Sequence, residues 1–150
     1  MKVLATGEGV TVVKAHCDTV YSLFFRWSGS RERSAALTRT LLERFVLEPD
    51  DDSRSPDERI ATLFVEITGA EDAAGVGGQC DDEAPIAEAL LAIDEGFRAV
   101  LLLRDLLGLE IEPLSRALGI TSGATRSRLG RARQEISGEI AKRASAMDVI

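Results

Sequence analysis

The stretch Leu118-Gly119-Ile120-Thr121-Ser122-Gly123-Ala124-Thr125-Arg126-Ser127-Arg128-Leu129-Gly130-Arg131-Ala132-Arg133 decides how this chain is read. Gly119 closes a short amphipathic segment built on Ile111, Leu114, Ala117 and Leu118, and Thr121 stands where a following helix needs an N-cap. Beyond it, Thr125, Leu129, Ala132, Ile136 and Ile140 recur at spacings of four, three, four and four, which is one face of an α-helix. A short helix, a glycine-containing turn and a longer helix make a helix-turn-helix. The second helix of such a unit enters the major groove of DNA, about 12 Å wide, with its N-terminal residues towards the base edges. At about 100° per residue, the face opposite Leu129 and Ala132 centres on Ser127. Arg126 and Arg131 stand on its two sides, Arg128 and Arg133 lie further round, and Gly123 and Gly130 flank it. Arginines so placed reach phosphates, or a guanine edge in bidentate fashion.

Upstream of this unit, Ile86, Leu90, Leu91 and Ile93 begin a helix, and Phe97, Val100, Leu101 and Leu103 carry an apolar run to a stop at Gly108. Residues 86–150 therefore read as one helical domain. Before it, residues 70–85 are mostly Gly, Ala, Asp and Glu, with Gly75, Gly77 and Gly78 close together. Such a stretch has little to bury and reads as a flexible acidic linker. Residues 1–69 form the other domain. A helical block from Val12 to Phe45 carries Val13, Val20, Leu23, Phe24 and Trp27, breaks at Gly29, and resumes with Ser34 as cap and Ala35, Leu37, Leu41, Leu42 and Phe45 as its stripe. The proline-bracketed acidic loop Glu48-Pro49-Asp50-Asp51-Asp52-Ser53-Arg54-Ser55-Pro56 follows, and Pro56 opens a third helix with Ile60, Leu63, Phe64 and Ile67. Met1–Val13 reads as an arm or a short extended piece. The expected fold class is all-α: two small helical domains joined by a flexible acidic linker.

The net charge of −7 would argue against a nucleic-acid binder if it were evenly spread. It is not. Residues 1–95 hold nine Lys/Arg against nineteen Asp/Glu, and residues 96–150 hold nine against six. The halves thus differ from −10 to +3, which suggests a different partner for each. The segment 48–83 alone holds twelve acids against two arginines, which reads as a solvated, self-repelling tether or an acidic partner surface.

Other function classes find little support. No run approaches the ~18 apolar residues that span a bilayer, so a membrane span is excluded, and Met1–Glu8 has too short an apolar core for a signal peptide. Cys17 and Cys80 lie 63 positions apart and match no metal or redox spacing. A reduced, cytoplasmic protein is expected. His16 and Cys17 are adjacent, and neighbours on a helix point about 100° apart, so they form no nucleophile–base pair. A surface His beside a buried Cys is the expected arrangement. Asp50-Asp51-Asp52 lack the positioned companions of a cation site. No catalysis, metal or cofactor is expected.

Two segments resemble a known family. Asp94-Glu95-Gly96-Phe97-Arg98-Ala99-Val100-Leu101-Leu102-Leu103-Arg104-Asp105 is similar to the opening of region 4 of extracytoplasmic-function (ECF) sigma factors, short bacterial relatives of sigma-70. Leu118–Arg133 is similar to that family's turn and recognition helix. The resemblance implies that this module reads the promoter −35 element through Ser122, Thr125, Arg126, Ser127, Arg128, Arg131 and Arg133. It implies core RNA polymerase and promoter DNA as partners, with an anti-sigma factor as a further one. Pro113 inside the first helix of the motif and Gly130, where the family usually has a polar residue, depart from the pattern.

The N-terminal half resembles region 2 of the same family. Val20-Tyr21-Ser22-Leu23-Phe24-Phe25-Arg26-Trp27-Ser28-Gly29-Ser30 is similar to the helix and turn that open it. Ser34–Phe45 takes the place of the helix that docks on the polymerase clamp, so the implied polymerase contacts are Leu37, Leu41, Arg44 and Phe45. The family's acidic pair and glutamine are replaced here by Ala36, Leu37 and Arg39, with Thr40 where another acid is common. The next helix melts and reads the −10 element in the family. Here it offers Arg59 and Phe64 but also Glu58 and Glu66, whereas holding single-stranded DNA needs stacking aromatics and positive charge. Two functions are implied: a sigma factor directing initiation, or a degenerate sigma-like regulator that binds DNA or a partner protein without melting promoters itself.

Overall fold

The structure, a computed structural model, describes residues 7–48, 54–70 and 85–148. Within them the chain forms seven helices and no strand: α1 (Gly7–Ser28), α2 (Arg31–Leu47), α3 (Pro56–Ala70), α4 (Pro85–Ala92), α5 (Glu95–Leu107), α6 (Ile111–Leu118) and α7 (Ser122–Asp148). The all-α expectation holds. Cys80, the acids at 50–52 and all of the expected linker except its end residues Ala70 and Pro85 lie outside the described residues.

Helix ends follow local chemistry. Gly29, Gly108 and Gly119 adopt φ of 73°, 68° and 71°, the left-handed region, at the ends of α1, α5 and α6. Three boundaries differ from the sequence reading. α1 begins at Gly7, so the expected N-terminal arm is helical from there on. Ser30, not Ser34, caps α2, accepting from the Arg33 N–H at 3.2 Å, while Ser34 is fully buried with its hydroxyl 3.1 Å from that of Ser28. The apolar run from Ile86 breaks after Ala92, because the Asp94 carboxylate caps α5 by accepting from Gly96 N–H at 3.0 Å. Pro113 fits because α6 starts at Ile111 and the first intrahelical donor is Leu114, bonded to Glu110 C=O at 3.0 Å.

α1 and α2 form a helical hairpin about Gly29–Ser30, and α3 closes it, with the Phe24 and Phe64 rings 5.1 Å apart. Val20, Leu23, Phe24, Trp27, Leu41, Ile60 and Phe64 are buried there, each stabilising the fold by roughly 1.5–3 kcal/mol relative to exposure. In the C-terminal half, α5, α6 and α7 bury Val100, Leu103, Leu114, Leu129 and Ala132. The face recognised on α7 is buried at Thr125, Leu129 and Ala132, half-buried at Ile136 and exposed at Ile140.

The halves pack on one another, α1 against α4 and α5, α3 against α5 and α6. One hydrophobic cluster runs through both. Arg98, 3% exposed, makes the central polar joint. Its guanidinium donates to Leu90, Leu91 and Ile93 C=O at 2.8, 3.2 and 3.1 Å, and to Trp27 C=O at the end of α1 at 2.6 Å. These are carbonyls that helix ends leave without partners, so one side chain satisfies the ends of both α4 and α1. Burial pulls this guanidinium below its usual pKa.

Candidate nucleic-acid interface

The helix-turn-helix of α6 and α7 is assembled by side-chain hydrogen bonds as well as by its apolar seam. Thr121 Oγ1 caps α7 by accepting from Ala124 N–H at 3.1 Å. Ser115 and Thr125, both buried, join the two helices through their hydroxyls at 2.7 Å. Ser115 also meets Ile111 C=O at 2.6 Å, and Thr125 meets Thr121 C=O at 2.9 Å. Thr125 is thus an internal tie of the motif, with no exposed surface. The expected DNA contact at this position is corrected on that ground: its hydroxyl is turned inward by the α6 packing.

The other residues expected to touch DNA form an open surface. Arg126, Ser127, Arg131 and Arg133 are exposed, while Ser122 and Arg128 are half-buried. Arg126 has no ion pair among the described residues. The Arg131 guanidinium lies 5.4 Å from the centre of the Phe97 ring, and Arg133 stands 3.9 Å from the Asp105 carboxylate. A Cβ added at Gly123 or Gly130 would meet nothing within 4 Å, so the fold itself does not require glycine at either place. With Arg126, Arg131 and Arg133 on its exposed side, this is a surface suited to phosphate and base-edge contact.

Arg128 points elsewhere. With Trp27, Val65, Thr68, Gly69 and Glu95 it lines a cleft of about 210 Å³ between the halves. Sequence reasoning missed Arg116 altogether. On α6, it pairs with Glu58 of α3 through two hydrogen bonds, Nη2 to Oε1 at 2.9 Å and Nε to Oε2 at 3.1 Å. Glu58 raises the Arg116 guanidinium above its usual pKa. A partner 58 positions away leaves no signal in the local sequence.

The expected polymerase contacts divide. Leu37, Leu41 and Phe45 lie in the core, each at most 7% exposed, so their side chains hold α2 in place rather than facing a partner. That correction follows from their spacing, which is that of the buried stripe. Arg44 is half-buried and bridges the carboxylates of Glu48 and Glu66. The outward face of α2 is instead Ala35, Ala36, Arg39, Thr40 and Glu43, ending in the exposed Leu47. On α3, Phe64 is fully buried, and the Arg59 guanidinium sits 4.1 Å from the Phe45 ring centre and donates to Phe45 C=O at 2.9 Å.

His16 is half-buried with Nδ1 3.6 Å from an Asp57 oxygen. Cys17 is exposed, not buried as expected. Among the described residues no cluster of three metal-ligating side chains occurs, and no helix is long and apolar enough to cross a membrane.

Comparison with known proteins agrees with this arrangement. Residues 84–136 match the family described as sigma-70, region 4. The ECF RNA polymerase sigma factor SigE of Mycolicibacterium smegmatis is 26% identical over 159 aligned positions, covering 89% of this chain. The chain spans 62% of that protein's length. The sigma factor RpoE of Bartonella quintana, solved with the anti-sigma factor NepR, superimposes with a TM-score of 0.70 at 15% identity, covering 94% of this chain and 98% of that one. The likeness at that identity is one of fold.

Proposed function

We propose that this chain is a sigma-70-type factor of the ECF class, that it binds core RNA polymerase in the cytoplasm, and that it directs initiation with α7 reading the promoter −35 element. The observation that carries this reading is the helix-turn-helix whose exposed face presents Arg126, Ser127 and Arg131. It acts by binding and carries out no chemistry of its own. Core RNA polymerase captured by the purified chain, followed by run-off transcription from a promoter library of the source organism, tests it. Specific transcripts are expected.

A second reading has its own support. In α3, Phe64 is enclosed in the core, Arg59 serves the end of α2, and Glu58 and Glu66 bring negative charge. Melted single strands need stacking aromatics and cations on a surface, and this helix offers few. A sigma-like regulator that binds DNA or an anti-sigma-type partner without melting promoters fits that surface. Polymerase capture without any specific transcript would select it.

A further inference from the structure

Glu58 and Arg116 meet across the junction of the two halves in an unequal pair. The Glu58 side chain is 4% exposed and the Arg116 side chain 59% exposed. Two parallel N–H to oxygen contacts at 2.9 and 3.1 Å make this the fork geometry with which arginine also grips a phosphate. Arg116 lies in the last turn of α6, the first helix of the motif. In a docked helix-turn-helix that helix crosses the DNA backbone, so a cation on it is placed for a phosphate.

We propose that Glu58 is an internal stand-in for a DNA phosphate: the packed arrangement of the halves occupies Arg116, and full DNA engagement requires the pair to part. This inference rests on the DNA-binding reading above. Three features favour it. The carboxylate on the acidic half is complementary to the basic motif, and it is held, 4% exposed, against the Arg116 guanidinium. Arg128, from the recognition helix itself, is drawn into the cleft beside Glu95 and Trp27, so a second motif cation faces the first half rather than solvent. The polar side of the joint loses little on parting, although the apolar surfaces that the halves share would come apart with it. Arg98 would lose only Trp27 C=O on parting, and would keep the three carbonyls of Leu90, Leu91 and Ile93. Glu58 would regain water in the same motion, so no buried charge is left unpaired.

The test is fluorescence anisotropy of the full chain with a labelled mixed-sequence duplex of two helical turns, about 20 base pairs, across a series of salt concentrations. Glu58→Gln should bind several-fold tighter than the natural chain, with a salt slope steeper by about one, the signature of one added phosphate contact. Glu58→Asp, which keeps the charge but shortens the reach, should fall between the two. Adding Arg116→Gln to Glu58→Gln should abolish the gain. Glu32→Gln, which removes the same charge from an exposed site on α2, should change little. Equal affinity and slope for Glu58→Gln and the natural chain, or a gain matched by Glu32→Gln, would overturn the proposal while leaving DNA binding standing. No binding by any variant would overturn both.

Discussion

Ser115 and Thr125, ten positions apart on successive helices, bring their hydroxyl oxygens to 2.7 Å inside the helix-turn-helix. Two hydroxyl protons there serve three contacts, since Ile111 C=O and Thr121 C=O are also within reach. Both oxygens are buried, so each is satisfied only by the other and by its own helix. The pair fixes the angle at which α7 leaves the turn.

Thr125→Val keeps the shape and removes that tie. A loss of about 1–2 kcal/mol in stability is expected, measured by urea unfolding. DNA affinity at a temperature where the variant is folded should fall only modestly. A large loss of DNA binding with unchanged stability would make Thr125 a contact residue after all.

Arg98 ties the ends of α1 and α4 through four carbonyls. Arg98→Leu leaves them buried without a donor, and a loss of about 3 kcal/mol or more is expected. Arg98→Lys should recover little, because an ammonium on a flexible stem cannot span the same fork. Thermal unfolding of the three proteins gives the order directly.

On α7, Arg126 carries no ion pair among the described residues, whereas Arg133 stands 3.9 Å from Asp105. Arg126→Ala should therefore weaken duplex binding more than Arg133→Ala, by about 1–3 kcal/mol if it reads a base. If it serves only a phosphate, the loss should be uniform across sequences and the salt slope should fall by about one. Binding isotherms on several duplexes at graded salt separate the two.

For α2, Leu41→Ala should cost about 2–5 kcal/mol as a cavity in the core. Arg39→Glu, on the outward face, should leave unfolding unchanged and reduce capture of core RNA polymerase. Capture that survives Arg39→Glu would move the polymerase contact to another surface.

Arg44 holds Glu48 below its ordinary carboxylate pKa. A depressed folded value stabilises the fold above the unfolded pKa, about 4.3, and the benefit is lost as pH falls through the folded value. Both side chains are more than a third exposed, so Arg44→Gln should cost less than about 1 kcal/mol at neutral pH. The difference from the natural chain should shrink on acidification, followed by unfolding at several pH values.

Much of this protein was legible in local sequence. The glycine stops at 29, 108 and 119, the Thr121 cap, the Pro56 start and the buried face of α7 depend on dihedral preference and on periodicity within a few residues. The break between α4 and α5 was harder, because the apolar run is continuous and only the Asp94 cap marks it. Periodicity also identified Leu37, Leu41 and Phe45 correctly as a stripe, but a stripe that packs inward and one that meets a partner have the same spacing.

Sequence alone determined an all-α chain ending in a helix-turn-helix, because each helix carries its own caps and its own apolar stripe. Tertiary structure alone decided which cations, among the described residues, pair across the halves and which stay on the open face of α7. Arg98 reaches Trp27 across 71 positions and Arg116 reaches Glu58 across 58. Such pairings depend on how helices far apart in the chain come to lie against one another, and no local pattern encodes them.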